Sequence, residues 1–161
     1  MSLQERVHEA FLPDGVLSLA AEHFHEREGQ TNMALAVAEI IESGGQLVVE
    51  AGTGVGKTFS YLVPALLSGE RVMISTATKA LQDQLFGRDL PRLVDALALP
   101  VRTALLKGRG SYLCLHRLEV ARRDGPDDRS VARTLAKIEQ WAQATRTVAL
   151  AELPGLVERS P

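Results

Sequence analysis

One stretch constrains this chain more than any other: Ala51-Gly52-Thr53-Gly54-Val55-Gly56-Lys57-Thr58. A β-branched run, Gln46-Leu47-Val48-Val49-Glu50, precedes it, and a helix-forming run from Lys57 to Leu67 follows it, stopped by Ser68-Gly69. The alternating glycines permit backbone angles that residues with a Cβ resist. Successive N–H groups of such a turn can then surround an anion. The helix that follows adds its positive end to the same place. In this arrangement Lys57 reaches the β- and γ-phosphates of a nucleoside triphosphate, and Thr58 offers its hydroxyl to Mg²⁺. The plain alternative is a Gly-rich β–α turn with no ligand, and the Gly-Lys-Thr ending argues against it. One departure stands: the strict pattern opens on glycine, where this chain has Ala51.

The flanking sequence reads as alternating strands and helices. Residues 1–22 contain a short helix, a Pro13-Asp14-Gly15 turn and a second short apolar stretch. A helix is expected from about Thr31, as N-cap, to Ser43, because Met33, Val37, Ile40 and Ile41 recur at helical spacing. Gly44-Gly45 ends it. After the glycine loop comes the Lys57–Leu67 helix, with Pro64 expected to kink it. Strands are expected at 46–50, 71–75 and 101–106, and helices at 79–86 and 91–97. That order predicts an α/β fold, an incomplete parallel sheet flanked by helices. Beyond Lys107 the pattern turns mostly helical, with Cys114–Arg123 and Arg129–Leu150 separated by a Gly125-Pro126-Asp127-Asp128 break. No internal repeat is visible.

At 161 residues the chain can bury one core. Aromatic residues are only 4% of it, so that core rests on Leu, Val, Ile and Ala. The single cysteine, Cys114, rules out an internal disulfide framework. The start, Met1-Ser2-Leu3-Gln4-Glu5-Arg6, lacks the basic and apolar regions of a signal peptide. No apolar run approaches the roughly 20 residues of a membrane span. A cytoplasmic protein with no membrane partner is the expectation. Charge is unevenly spread: residues 1–50 hold two basic and nine acidic side chains, and residues 71–123 hold ten basic and four acidic. A basic middle segment suits a polyanion, although ordinary surface variation gives the same count.

A phosphate loop alone fits a kinase, a GTPase or a motor, and the residues around it choose among them. Val48 to Thr58 followed by Tyr61-Leu62-Val63-Pro64-Ala65-Leu66 resembles motif I of XPD-like superfamily 2 helicases. Ile74-Ser75-Thr76-Ala77-Thr78-Lys79-Ala80-Leu81-Gln82-Asp83-Gln84-Leu85 resembles motif Ia of the DinG/YoaA branch. Lys107-Gly108-Arg109-Gly110-Ser111-Tyr112-Leu113-Cys114 resembles the segment carrying that family's first iron–sulfur cysteine, with Ser111 where the family commonly has Asn. Phe24-His25-Glu26-Arg27-Glu28-Gly29-Gln30 with Met33-Ala34 is similar to the family's adenine-recognition motif. The resemblance is collinear from about residue 10 to 119.

The resemblance implies a RecA-like motor domain of an ATP-dependent 5′→3′ DNA helicase with roles in DNA repair. Residues 1–112 would be the N-terminal part of that motor, and 113–161 the start of a helical, iron–sulfur-type insertion. It assigns Gln30 to the adenine edge, where a carboxamide donates and accepts at once, with Arg27 stacking on or pairing with the base. Ala51, Gly52, Thr53, Gly54, Val55, Gly56, Lys57 and Thr58 would hold ATP, with Lys57 and Thr58 catalytic and Thr58 on Mg²⁺. Thr76, Thr78, Lys79 and Gln82 would contact the backbone of single-stranded or forked DNA, although Thr78 also suits a plain N-cap. Arg109, Arg117, Arg122 and Arg123 could line a strand groove or simply face solvent. Cys114 would be one of four ligands of a 4Fe–4S cluster.

Hydrolysis also needs a Walker B acid after an apolar strand, and no Asp-Glu pair occurs in the chain. Asp95 lies in an expected helix, and Glu50 leads into the phosphate loop itself. The expectation is therefore an N-terminal fragment, inactive and marginally stable alone. A module that binds ATP or DNA without hydrolysis is the alternative. A small-molecule kinase would need an arginine-rich lid and a substrate pocket, and neither is legible.

Overall fold

The computed structural model describes residues 1–20, 27–126 and 128–153. Phe24, His25 and Glu26 of the adenine-type motif, His23, and the tail beyond Leu153 lie outside the described residues. The chain divides into two compact units, Met1–Ala104 and Leu105–Pro161.

The first unit is built on helices. Helix α1 (Leu3–Phe11) starts from a capping box: Ser2 Oγ accepts from Glu5 N at 3.1 Å, and Glu5 Oε2 accepts from Ser2 N at 2.7 Å. Two N-terminal donors are thereby satisfied reciprocally. A third goes to another element, because Leu3 N donates to Glu42 Oε1 at 2.6 Å. The short α2 (Leu17–Ala20) follows the turn at Pro13-Asp14-Gly15. Helix α3 (Glu28–Ser43) ends at Gly44, whose N–H bonds Ile40 O. Helix α4 (Lys57–Ser68) continues through Pro64 and ends at Gly69. Helix α5 (Lys79–Gln84) passes through a π-helical turn, Leu85–Asp89, into α6 (Leu90–Leu97). Asp89 is buried in that turn and accepts from Gln84 Nε2 at 3.0 Å and Arg88 Nε at 2.8 Å.

Leu3, Val7, Ala10 and Phe11 of α1, Leu17 of α2, Ala34 and Ala38 of α3, Leu62, Val63 and Leu66 of α4, and Leu93 of α6 form one buried cluster. Each fully buried Leu, Val or Phe contributes about 1.5–3 kcal/mol. Ala34 and Ala38 of α3 are fully buried in this cluster beside residues of α1 and α4.

The parallel sheet expected from the sequence is overturned: no strand is present among the described residues. No backbone hydrogen bond joins residues 46–50 to residues 71–75. Val48 is 96% exposed, Met73 93% and Leu106 84%. A parallel strand closes its backbone bonds only on a neighbour and is normally covered on both faces. Residues 46–50 and 71–75 form no such ladder with each other, and Val48, Val49, Val72 and Met73 stand exposed, while the helices bury their apolar faces on one another.

Two helix boundaries also differ. Helix α3 begins at Glu28 with Arg27 in the cap position, so Thr31 is a buried residue inside it and not its N-cap. The last long helix stops at Ala144, short of Leu150. There the Thr145 hydroxyl accepts from Thr147 N at 3.2 Å and Val148 N at 3.1 Å, and the chain leaves the helix.

The second unit holds α7 (Leu115–Asp124) and α8 (Arg129–Ala144) with short 3₁₀ turns at Arg109–Ser111 and Leu150–Glu152. A single antiparallel bridge pairs Tyr112 with Ala149, and Leu113 N donates to Val148 O at 2.8 Å. The Tyr112 hydroxyl accepts from Lys107 N at 2.9 Å. The mostly helical character expected beyond Lys107 is therefore what the described residues have.

Candidate functional site

The glycine loop enters α4 through Gly56, whose φ of 87° lies in the left-handed region, and Gly54 has φ 81°. No side chain caps this helix start. Its first N–H groups have no partner within the helix, which is the ordinary property of a helix N-terminus.

The loop is held by side chains that capture its carbonyl oxygens. Lys57 Nζ donates to Ala51 O at 2.9 Å and to Gly52 O at 2.7 Å. Arg27 Nη1 donates to Gly54 O. Gln30 Nε2 donates to Gly56 O at 3.0 Å. Four loop carbonyls, those of Ala51, Gly52, Gly54 and Gly56, are thus turned toward donors, two of which are cationic side chains. That arrangement suits an anion.

The contact between α3 and the loop is close. A Cβ on Gly56 would lie 2.2 Å from Gln30 Nε2 and 2.8 Å from Gln30 Cδ. Gln30 is 5% exposed, and its main-chain carbonyl accepts from Ser60 Oγ at 3.0 Å. The structure therefore brings Arg27 and Gln30 together with the loop residues 51–58. Lys57 is exposed, Thr58 half-buried, Gly52, Thr53 and Gly54 exposed, and Ala51 and Val55 half-buried. Among the described residues no three His, Cys, Asp or Glu side chains cluster as a metal site. Thr58 supplies one hydroxyl, which fits Mg²⁺, an ion that takes few protein ligands beside phosphate and water.

The segment Thr76–Gln82 lies at the start of α5. Thr78 is its N-cap, accepting from Leu81 N at 3.2 Å, and Thr76 Oγ1 donates to Thr78 O at 3.5 Å. Lys79 is exposed and Gln82 half-buried. In the second unit Arg109, Arg117, Arg122 and Arg123 are all exposed. Cys114 is an exposed free thiol in the cap position of α7. A 4Fe–4S cluster takes four thiolates, and one cysteine in 161 residues cannot hold it. Ser60 was not legible from the sequence: a small polar residue one turn into an apolar helix carries no local signal of what it touches.

The DEAD/DEAH box helicase family matches residues 31–119, a span that takes in the glycine loop, Thr76–Gln82 and Cys114, with Arg27 and Gln30 just upstream. The chain is 44% identical over 162 residues to "ATP-dependent DNA helicase YoaA" of Haemophilus influenzae, covering 100% of this chain and 25% of that protein. Against "ATP-dependent DNA helicase YoaA" of Escherichia coli it is 58% identical over 109 residues, 68% of this chain and 17% of that one. Against "ATP-dependent helicase DinG" of Mycobacterium tuberculosis it is 42% identical over 167 residues, 89% of this chain and 25% of that one. The chain thus spans a quarter or less of the length of these relatives. No solved structure matches it.

Proposed function

This chain belongs to the DEAD/DEAH box helicase family, and from that premise we propose that it is the nucleotide-binding segment of an ATP-dependent DNA helicase. The observation that carries the proposal is the capture of four loop carbonyls by Lys57, Arg27 and Gln30 at the start of α4. A loop so held offers its N–H groups to phosphate, and Lys57 exchanges carbonyl contacts for phosphate oxygens. Lys57 then offsets charge on the transferring phosphoryl group, and Thr58 holds Mg²⁺. Gln30 has a second N–H and an oxygen with which to meet the adenine edge, and Arg27 supplies a planar cation beside it.

Thr76, Thr78, Lys79 and Gln82 are proposed to meet the backbone of single-stranded or forked DNA, and the resemblance to DinG/YoaA helicases implies 5′→3′ unwinding in DNA repair, in the cytoplasm. These activities belong to a protein of the relatives' length. Residues 1–112 would be motor, and residues 113–161 would open a helical insertion, with Cys114 as one cluster ligand and three thiolates from outside these 161 residues. The absence of an Asp-Glu pair from the sequence favours, as the second reading, a module that binds ATP or DNA without hydrolysis.

Titration with a fluorescent ATP analogue tests the binding claim. Lys57→Ala should weaken affinity about a hundredfold, as the loss of one or two charge-assisted hydrogen bonds of about 1.5–3 kcal/mol each requires. Unchanged affinity refutes it. ATP hydrolysis that rises with single-stranded DNA, measured on a protein of the relatives' length, separates the motor from the non-hydrolysing module.

A further inference from the structure

We propose that Ser60 is a positioning residue that sets the adenine preference of this site by fixing Gln30 against the phosphate loop. The inference rests on the proposed reading of Gln30 as the adenine contact.

Ser60 is fully buried, one turn into α4, and its hydroxyl donates to the main-chain carbonyl of Gln30 at 3.0 Å. Its own N–H donates to Gly56 O at 3.4 Å, the same oxygen that Gln30 Nε2 reaches at 3.0 Å. Gln30, Gly56 and Ser60 therefore form a closed ring of contacts between the first turn of α3 and the first turn of α4. The ring leaves no slack, because a single added carbon on Gly56 would overlap the Gln30 carboxamide. The carbonyl that Ser60 grips belongs to the residue whose side chain is assigned to the base. Rotating or sliding the start of α3 would carry that carboxamide off its target. The phosphate loop has independent supports, since Lys57 and Arg27 hold Ala51, Gly52 and Gly54 without Ser60. Loss of the Ser60 hydroxyl should therefore disturb the base contact more than the phosphate contact.

The test measures dissociation constants of ATP, GTP and inorganic triphosphate for the full chain. The unaltered protein should prefer ATP, and Gln30→Ala should abolish the preference. Ser60→Ala, which keeps the side-chain volume near that of serine, should weaken ATP binding about fivefold, the factor a neutral hydrogen bond is ordinarily worth. GTP and inorganic triphosphate should bind as before. Ser60→Cys, with a weaker donor, should fall between, and it serves where the alanine variant folds poorly. In the double variant Gln30→Ala/Ser60→Ala the second change should have no further effect on the ATP-to-GTP ratio. A ratio unmoved by Ser60→Ala and by Ser60→Cys, with Gln30→Ala still abolishing it, overturns the role of Ser60 alone. A ratio unmoved by Gln30→Ala overturns the base reading beneath it. Equal weakening of all three ligands makes Ser60 a structural residue and overturns the proposal.

Discussion

Replacing Gly56 with alanine should cost far more than the same change at Gly54, although both residues have positive φ. Gly54 has φ 81°, and an added Cβ would meet no atom within 4 Å. Its substitution carries only the left-handed penalty of about 1–2 kcal/mol, partly offset by the stiffer unfolded chain at about 0.4–1 kcal/mol. A net loss of about 1 kcal/mol is expected. At Gly56 the same terms apply at φ 87°, and the new carbon would sit 2.2 Å from Gln30 Nε2. Gln30 is buried and must move, which breaks its hydrogen bond to Gly56 O. That adds about 1–3 kcal/mol for a buried amide left without its partner. Gly56→Ala should therefore destabilise by about 3 kcal/mol. Urea unfolding followed by helical circular dichroism reads both variants. The decisive comparison is Gly56→Ala in a Gln30→Ala background. With the carboxamide gone, its additional cost should fall to that of Gly54→Ala. If Gly56→Ala costs no more than Gly54→Ala in the unaltered chain, the close approach of α3 to the loop is refuted.

Three further outcomes are expected. Thr78→Ala removes the N-cap of α5 and should cost about 1 kcal/mol, read as faster amide exchange confined to residues 79–84 and not elsewhere. Lys79→Ala should weaken single-stranded DNA binding and lower the slope of log affinity against log salt by about 0.7; an unchanged slope removes Lys79 from the DNA contacts. Asp128 caps α8, and bonds from the Ser130 side chain and then the Ser130 backbone hold its carboxyl below the ordinary carboxylate range. A depressed folded value means that the ionised cap stabilises α8 at neutral pH and that this contribution is lost as pH falls through the folded value. Asp128→Asn keeps a capping oxygen without the charge, so acid titration by circular dichroism should lose that component of its pH dependence.

The helices were largely legible because a helix closes its hydrogen bonds within a few residues. Gly44 and Gly69 as stops, the Gly125–Asp128 break and the apolar spacing along 57–67 are all local information. Thr31 misled as a cap because its hydroxyl chemistry is local too, while its burial against the helices around it is not. The expected strands failed for the complementary reason. Val48-Val49 and Val72-Met73-Ile74 have the composition of buried strands, but a strand exists only on a partner, and periodicity says nothing about whether one is available.

The candidate site divides along the same line. The glycine loop was read from spacing alone, since the residues that shape it are consecutive. The adenine-type motif could be matched by resemblance, yet nothing in its own residues indicated that Arg27 and Gln30 would grip loop carbonyls 27 and 26 positions further on. That junction depends on Gly56, which has no side chain to hold Gln30 away. Gln30 and Ser60 consequently share a single carbonyl oxygen, that of Gly56. On the proposed reading, Gln30 meets the base while Lys57 and Arg27 hold Ala51, Gly52 and Gly54 independently of it, so the effects of Gln30→Ala and Lys57→Ala on ATP affinity should be close to additive.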